Sequence, residues 1–348
     1  MRDHYQRVIV SAFGGVEVLK TEYVPIPTPK AGEVRLQVIA TGVSFADLLM
    51  REGLHPEVWF ERPPFTLGWE VIGVIDAIGI GVQGFAVGQR VAALTVKGGY
   101  SEMICLPAAR LIPVDDDLDP LAVICLIYNY VVAYQMLHRA AKVKAGDTIL
   151  IHSAAGGVGS ALVELGRLAD LTLYGTASVS KHADLTAAGC TPIDYKSVDF
   201  VQQIRDLTHG AGVCAVFDGI GGTHLQRSYQ ALGRGGRLIA YGLSATIAPS
   251  QARRGRTPVI LSALGQWLRA FALNLIPDGR SLQLYSIQTL QRQRPDWYRE
   301  DVQALLRHLR NGRLRPKVML TLPLTEAAEA HRLLATGQSI GKLILTMR

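Results

Sequence analysis

Seven residues in the middle of the chain, Ser153, Ala154, Ala155, Gly156, Gly157, Val158 and Gly159, restrict the fold more than any other stretch. They follow an apolar run of strand length, residues 148–152. They lead into residues 160–168, where apolar side chains recur at helical spacing. A strand that turns through glycines straight into a helix is the repeating unit of a doubly wound α/β sheet. Glycine lets the backbone approach a ligand closely, and the helix N-terminus offers oriented N–H groups with partial positive charge. The combination suits the pyrophosphate of a dinucleotide, with Ala154, Gly156, Gly157, Val158 and Gly159 as contact residues. The strict G-x-G-x-x-G spacing would place a glycine where Ala154 stands. A purely structural glycine turn is the alternative.

The surroundings extend the pattern. Apolar runs at residues 171–175, 213–217, 237–241 and 282–287 alternate with helical stretches, as in a parallel sheet covered on both faces. Residues 7–120 instead carry short alternating runs rich in Val, Ile, Gly and Pro, which predict a β-rich domain. The tail returns through a helix (297–310), a strand (318–322), a helix (325–335) and a last strand (342–346). A chain of 348 residues suits two domains. The expected fold class is therefore α/β: a Rossmann doubly wound parallel sheet, residues 124–292, inserted in a β-rich domain of residues 1–123 and 293–348.

The second strand of such a sheet selects the dinucleotide. NAD enzymes usually end it with an acid that binds the ribose 2′-hydroxyl. Residues 175–182 read Gly-Thr-Ala-Ser-Val-Ser-Lys-His, with no acid before Asp184. A carboxylate would repel a 2′-phosphate, whereas Ser178 and Lys181 could bind one. Tyr195 could flank the adenine or donate to the same phosphate. NADPH is the expected cofactor. Gly219 and Ile220 after one strand, and Tyr241 and Gly242 after the next, are candidates to line the nicotinamide, with ordinary turns as the alternative.

Composition narrows the remaining classes. Hydrophobic residues make up 49% and charged residues 19%, which excludes a disordered tail. The four cysteines lie far apart without a CxxC or Cys/His pair, so neither a zinc site nor a disulfide scaffold is expected, and a reducing cytoplasm fits. The net charge of +7 favours anionic ligands, but no aromatic-interleaved basic motif points to nucleic acid. The N-terminal stretch lacks the apolar core of a signal peptide. Residues 121–137, broken by Asn129 and Gln135, predict an interior helix rather than a membrane span. Arg253, Arg254 and Arg256 precede residues 259–276, which carry one apolar face. That segment could touch an anionic membrane or an acyl-carrier partner, or it could cover the active-site cleft or a dimer interface.

Several segments in order resemble the medium-chain dehydrogenase/reductase superfamily. They are Gly-Val-Ser-Phe-Ala-Asp at 42–47, Pro-Phe-Thr-Leu-Gly-Trp-Glu at 64–70, the glycine-rich stretch 79–91, the turn 154–159 and the closing Gly-Lys-Leu-Ile-Leu at 341–345. The likeness runs nearly end to end and is strongest to the zinc-free, quinone oxidoreductase-like branch. Within it, residues 129–134, 175–182 and 193–195 look most like the vesicle amine transport protein homologues. The resemblance implies a GroES-like fold for the β-rich domain, Lys342 as a cofactor contact, and a homodimer paired through residues 282–287. It implies hydride transfer from NADPH to a quinone or to the C=C of an α,β-unsaturated carbonyl.

Zinc enzymes of the superfamily carry a cysteine where Ser44 stands and a histidine where Trp69 stands. A hydroxyl and an indole are poor zinc ligands, so no metal is expected. Ser44 and His55 are the candidate catalytic residues, His55 as a proton donor or an inert loop histidine. Asp47 and Arg51 match the family pattern and could be a turn carboxylate and its ion-pair partner. Val132 replaces a threonine that helps seat the nicotinamide. The alternatives are a weakly catalytic NADPH-binding protein acting through a membrane or protein partner, and an enoyl reductase for carrier-bound acyl chains.

Overall fold

A computed structural model of the chain describes residues 3–242 and 257–347. The chain forms two compact units, Met1–Asn129 with Val302–Arg348, and Tyr130–Asp301.

The first unit is built on strands β1 (His4–Val10), β2 (Leu19–Pro25), β3 (Glu33–Val43), β4 (Phe65–Thr66), β5 (Glu70–Ile78), β6 (Arg90–Leu94), β7 (Met103–Pro107) and β8 (Ile112–Pro113). In β3 every second side chain, Val34, Leu36 and Val38, points into a core shared with Val71, Ile75 and Val91. That period-2 pattern fixes the register with β5, because a one-residue slip would turn the apolar set outward. The short helix Phe45–Arg51 leaves β3 at once, which brings the end of that strand beside the start of β5.

The second unit holds β9 (Thr148–Ile151), β10 (Thr172–Ala177), β11 (Thr191–Asp194), β12 (Val213–Asp218), β13 (Leu232–Ala240) and β14 (Ser281–Leu284). They form one parallel sheet in the order β11-β10-β9-β12-β13-β14, the doubly wound order. Leu150, Val216 and Leu238 from three neighbouring strands pack with Phe200, Ile204, Leu225 and Tyr229 from helices. The sixth strand is shorter than the run 282–287 suggests. Ser286 Oγ accepts the Thr289 N–H and starts a helix, Ile287–Gln293, so a local cap overrides the apolar run.

Strands β15 (Val318–Pro323) and β16 (Lys342–Thr346) return to the first unit. β16 pairs antiparallel with β3, so the chain's last strand lies against the segment that leads to Ser44. The resulting seven-stranded sheet and the smaller β2-β1-β4 sheet make this unit β-rich.

The helix Pro120–Ala141 is long and apolar enough to cross a membrane, but 72% of its apolar window is buried inside the protein, as expected of an interior helix. The helix Thr257–Asn274 buries Ala270 and exposes Leu264, Trp267, Leu268 and Phe271. Arg253, Arg254 and Arg256 lie outside the described residues.

Candidate functional site

The glycine turn sits where the sequence places it, between β9 and the helix Gly157–Leu168. Gly156 is the N-cap and no side chain caps the helix, which leaves its first N–H groups for a ligand. A Cβ on Gly159 would lie 2.2 Å from the Ser153 carbonyl oxygen, so only glycine closes this turn. Ala154 is fully buried and takes the place of the first glycine without intruding on the ligand side. Its methyl lies over Gly175 of β10, where an added Cβ would come within 2.6 Å of it. The missing glycine of the fingerprint is thus supplied by the neighbouring strand. The donor set fits a dinucleotide pyrophosphate.

Beneath the turn runs a closed hydrogen-bond network. Ser153 N–H donates to Thr176 Oγ1 (3.3 Å), and that hydroxyl lies 3.0 Å from His152 Nδ1. His152 Nε2 lies 3.1 Å from Ser228 Oγ, which donates to Asp218 Oδ2 at 2.6 Å. His224 Nδ1 reaches the same oxygen at 2.9 Å. Burial pulls the His152 pKa down to about 3, so it is neutral. Asp218 is held below the usual carboxylate range: burial opposes ionisation, but the His224 hydrogen bond and the other donors outweigh it. The ligating atoms of His152, Asp218 and His224 lie within 4.8 Å of one another, a spacing open to a metal ion. Ser228 Oγ stands among them and satisfies them, so the set works as a clamp between strand ends.

The other oxygen of Asp218 accepts the N–H groups of Ile220 (2.7 Å) and Gly221 (3.0 Å), shaping the loop after β12. Gly242 packs onto this loop, since a Cβ there would meet the Gly219 carbonyl oxygen at 2.2 Å. The Tyr241 ring covers Gly219. Gly219, Ile220, Tyr241 and Gly242 therefore form one layered surface at the strand ends.

At the opposite end of the sheet, Ala177 pairs with Asp194, so Ser178 and Tyr195 follow adjacent strand ends. Ser178 precedes the turn Val179–Lys181, and Tyr195 is exposed. Lys181 is half-buried, and desolvation lowers its pKa. Asp194 is the acid nearest this end, but its Oδ1 accepts the Lys196 N–H and serves its own turn.

In the first unit Ser44 caps the helix Phe45–Arg51 in a reciprocal capping box with Asp47. Ser44 Oγ donates to Asp47 Oδ2 at 2.7 Å, and Gly68 N–H donates to Asp47 Oδ1 at 3.0 Å. Complete burial nevertheless raises the Asp47 pKa to about 7, with Glu70 adding to the shift. Tyr100 faces Asp47 and also meets His331 Nε2 at 3.1 Å. The carboxylate partner of Arg51 is Glu52 (2.5 Å), not Asp47, and the same guanidinium reaches His331 Nδ1 at 3.2 Å.

Lys342 is buried and its ammonium lies 2.5 Å from Glu70, so its charge is committed to that carboxylate. Burial raises the Glu70 pKa against the pull of Lys342. Lys342 also stands over the Tyr128 ring, 5.4 Å from its centre. Trp69 packs against Tyr128 and, edge to face, against His55, with both ring centres 5.2 Å away. His55 Nδ1 accepts the Glu57 N–H at 3.2 Å. Burial lowers the His55 pKa to about 4, which leaves a neutral ring with its proton on Nε2. Trp69 is 1% exposed, and its Nε1–H has no hydrogen-bond partner among the described residues. Leaving such a donor unmet costs about 1–3 kcal/mol.

Sequence reasoning missed the His152–Ser228–Asp218 clamp and the Glu70–Lys342 pair. A polar residue closing an apolar strand, as at His152 and Asp218, was the available signal.

Residues 30–116 match the family model described as "Alcohol dehydrogenase GroES-like domain", and residues 189–345 match "Zinc-binding dehydrogenase". The chain is 34% identical to 2-haloacrylate reductase of Burkholderia sp, over 97% of each chain. It is 30% identical to the zebrafish (Danio rerio) synaptic vesicle membrane protein VAT-1 homolog, over 98% of this chain and 70% of that one. A mycobacterial protein solved in complex with NADPH superposes with a TM-score of 0.82 at 27% identity, over 98% of this chain and 99% of that one. Trp69 offers an indole N–H and Ser44 a hydroxyl bound to Asp47, both poor zinc ligands. The chain belongs to the medium-chain dehydrogenase/reductase superfamily, in its zinc-free quinone oxidoreductase-like branch.

Proposed function

We propose that the protein is an NADPH-dependent, zinc-independent reductase of quinones or of C=C bonds conjugated to a carbonyl. The Ser44–Asp47 pair is the observation that carries this reading. When bound, NADPH supplies the hydride. Hydride addition to a conjugated C=C leaves an enolate that needs one proton and no Lewis acid. With a pKa near 7, Asp47 is partly protonated at neutral pH. In that form its O–H donates to Ser44 Oγ and frees the Ser44 hydroxyl proton for the substrate. Ser44 gives its proton to the enolate, Asp47 replaces it, and solvent later reprotonates Asp47.

The uncapped helix Gly157–Leu168 would hold the pyrophosphate, with Ser178, Lys181 and Tyr195 toward a 2′-phosphate. The NADPH complex of a structural neighbour and the reductase relative support the reading. Steady-state NADPH oxidation with a panel of enones and quinones tests it, and S44A should lower kcat far more than it weakens NADPH binding.

The helix Thr257–Asn274, with its exposed apolar face, lies beside β14, which among the described residues pairs with β13 alone. Both features are met by a second copy, so the working unit proposed is a homodimer.

A further inference from the structure

Trp69 is buried to 1%, and its indole N–H meets no acceptor among the described residues. Its immediate neighbours explain why. His55 is edge to face with it at 5.2 Å, but the Nδ1 lone pair is used by the Glu57 N–H and Nε2 carries the proton. Tyr128 presents a ring tilted by 34° to the indole. Backbone bonds fix Trp69 on both sides, with its carbonyl accepting the Thr95 N–H at 2.7 Å and Gly68 N–H bound to Asp47. The chain thus holds a donor between the His55 and Tyr128 rings, one residue on from the Gly68 N–H that binds Asp47. Buried donors are ordinarily satisfied, so an unmet one is a place where an acceptor arriving from outside would be matched.

Charge limits what that acceptor can be. Glu70 follows Trp69 directly, Lys342 is bound to Glu70, and Arg51 is bound to Glu52. An incoming carboxylate would meet an acid there and cations already paired. An uncharged oxygen that gains negative character during reaction suits a neutral donor better.

We infer that the Trp69 indole N–H is the hydrogen-bond donor for the carbonyl oxygen of an uncharged conjugated substrate, with the His55 ring packed edge to face against the indole. The inference rests on the proposed reductase activity and assigns the electrophilic contact in it. The N–H···O hydrogen bond strengthens as hydride addition moves charge onto that oxygen, so the contact favours the transition state over the ground state.

The test pairs kinetics with a spectrum that needs no turnover. W69F keeps a six-membered aromatic ring and removes the N–H together with the rest of the indole's five-membered ring. It should lower kcat/KM for 2-cyclohexen-1-one at least 10-fold while leaving the Kd for NADPH within twofold. In 15N-tryptophan-labelled wild-type protein bound to NADP+, the Trp69 indole resonance should move on addition of 2-cyclohexen-1-one, and much less with 2-chloroacrylate. Phenylalanine variants of Trp59, Trp267 and Trp297 assign that resonance by elimination, so the readout stands even where W69F misfolds.

A Trp69 resonance that stays still while the enone saturates the protein would overturn the inference, as would W69F with wild-type kcat/KM. An equal response to 2-chloroacrylate would overturn the restriction to uncharged substrates. Failure of the wild type to oxidise NADPH with any enone or quinone would instead defeat the parent reading, and the resonance shift would still report on the donor site.

Discussion

The methyl of Ala154 occupies the space that a side chain on Gly175 would need. An added Cβ at Gly175 would stand 2.6 Å from Ala154 Cβ and 2.8 Å from Cys190 Sγ. Two residues 21 positions apart therefore share one requirement, a close approach between the phosphate turn and the second strand. G175A should destabilise the protein by about 1–3 kcal/mol through overpacking. It should also weaken NADPH binding, because relief comes by lifting the turn. Adding A154G should recover part of both losses. Chemical denaturation and fluorescence titration with NADPH check this, and an unaltered Kd in G175A would disconnect the two residues.

The glycine turn was legible because its signal is local: a strand, a steric need for glycine and a helix start within about twenty residues. The Ser44–Asp47 capping box carries an equally local signal, Ser-Phe-Ala-Asp at helix-cap spacing, yet the expectation paired Asp47 with Arg51 instead. The clamp under the turn was not legible, since His152 and Ser228 are 76 positions apart. The partner of Lys342 was hidden for the same reason, because only the pairing of β16 with β3 brings the tail to Glu70. The sixth strand was overextended because an apolar run says nothing about the cap at Ser286.

The elevated pKa of Asp47 gives pH dependence a definite sign. Its native pKa of about 7 lies above that of the unfolded chain, so the native state prefers the protonated form. The stability contributed is complete below the ordinary carboxylate range near pH 4 and is lost as pH rises through about 7. Rate should follow the same protonated form, with kcat falling above pH 7. D47N should abolish that limb and lower kcat by about 10²–10³. It should also cost stability, since an amide nitrogen cannot accept the Ser44 N–H. A pH–rate profile of wild type and D47N decides; a basic limb surviving in D47N would remove Asp47 from the proton path.

Lys342 and Glu70 stand or fall together. K342M strips a fully buried carboxylate of its cation and should destabilise by about 3–5 kcal/mol, whereas K342M/E70Q should recover most of the loss. Melting both variants beside the wild type is sufficient. Equal losses in the single and double variants would show that the pair is not coupled.

Cofactor choice should reside in Ser178 and Lys181. S178A/K181A should raise the Kd for NADPH by about 100-fold or more, in line with loss of two charge-assisted phosphate contacts worth about 1.5–3 kcal/mol each. The Kd for NADH should be unchanged. Parallel titrations make the comparison, and equal weakening for both cofactors would point to collapse of the turn rather than loss of a phosphate site.

The exposed face of helix Thr257–Asn274 should be covered in solution by a second copy. Sedimentation should give a dimer, and L268E/F271E should shift it to monomer while NADPH binding persists. A wild-type monomer that instead co-sediments with anionic vesicles would assign the same face to a membrane.

The central claim is hydride transfer from NADPH to a conjugated C=C or quinone without metal. The most direct measurement is the initial rate of NADPH oxidation with 2-cyclohexen-1-one and a benzoquinone, in chelator, with NADH run in parallel. Turnover with NADPH is expected, with at least 10-fold lower kcat/KM for NADH and no effect of chelation. Tight NADPH binding with no turnover on either substrate, or activity that chelation abolishes, would contradict that claim.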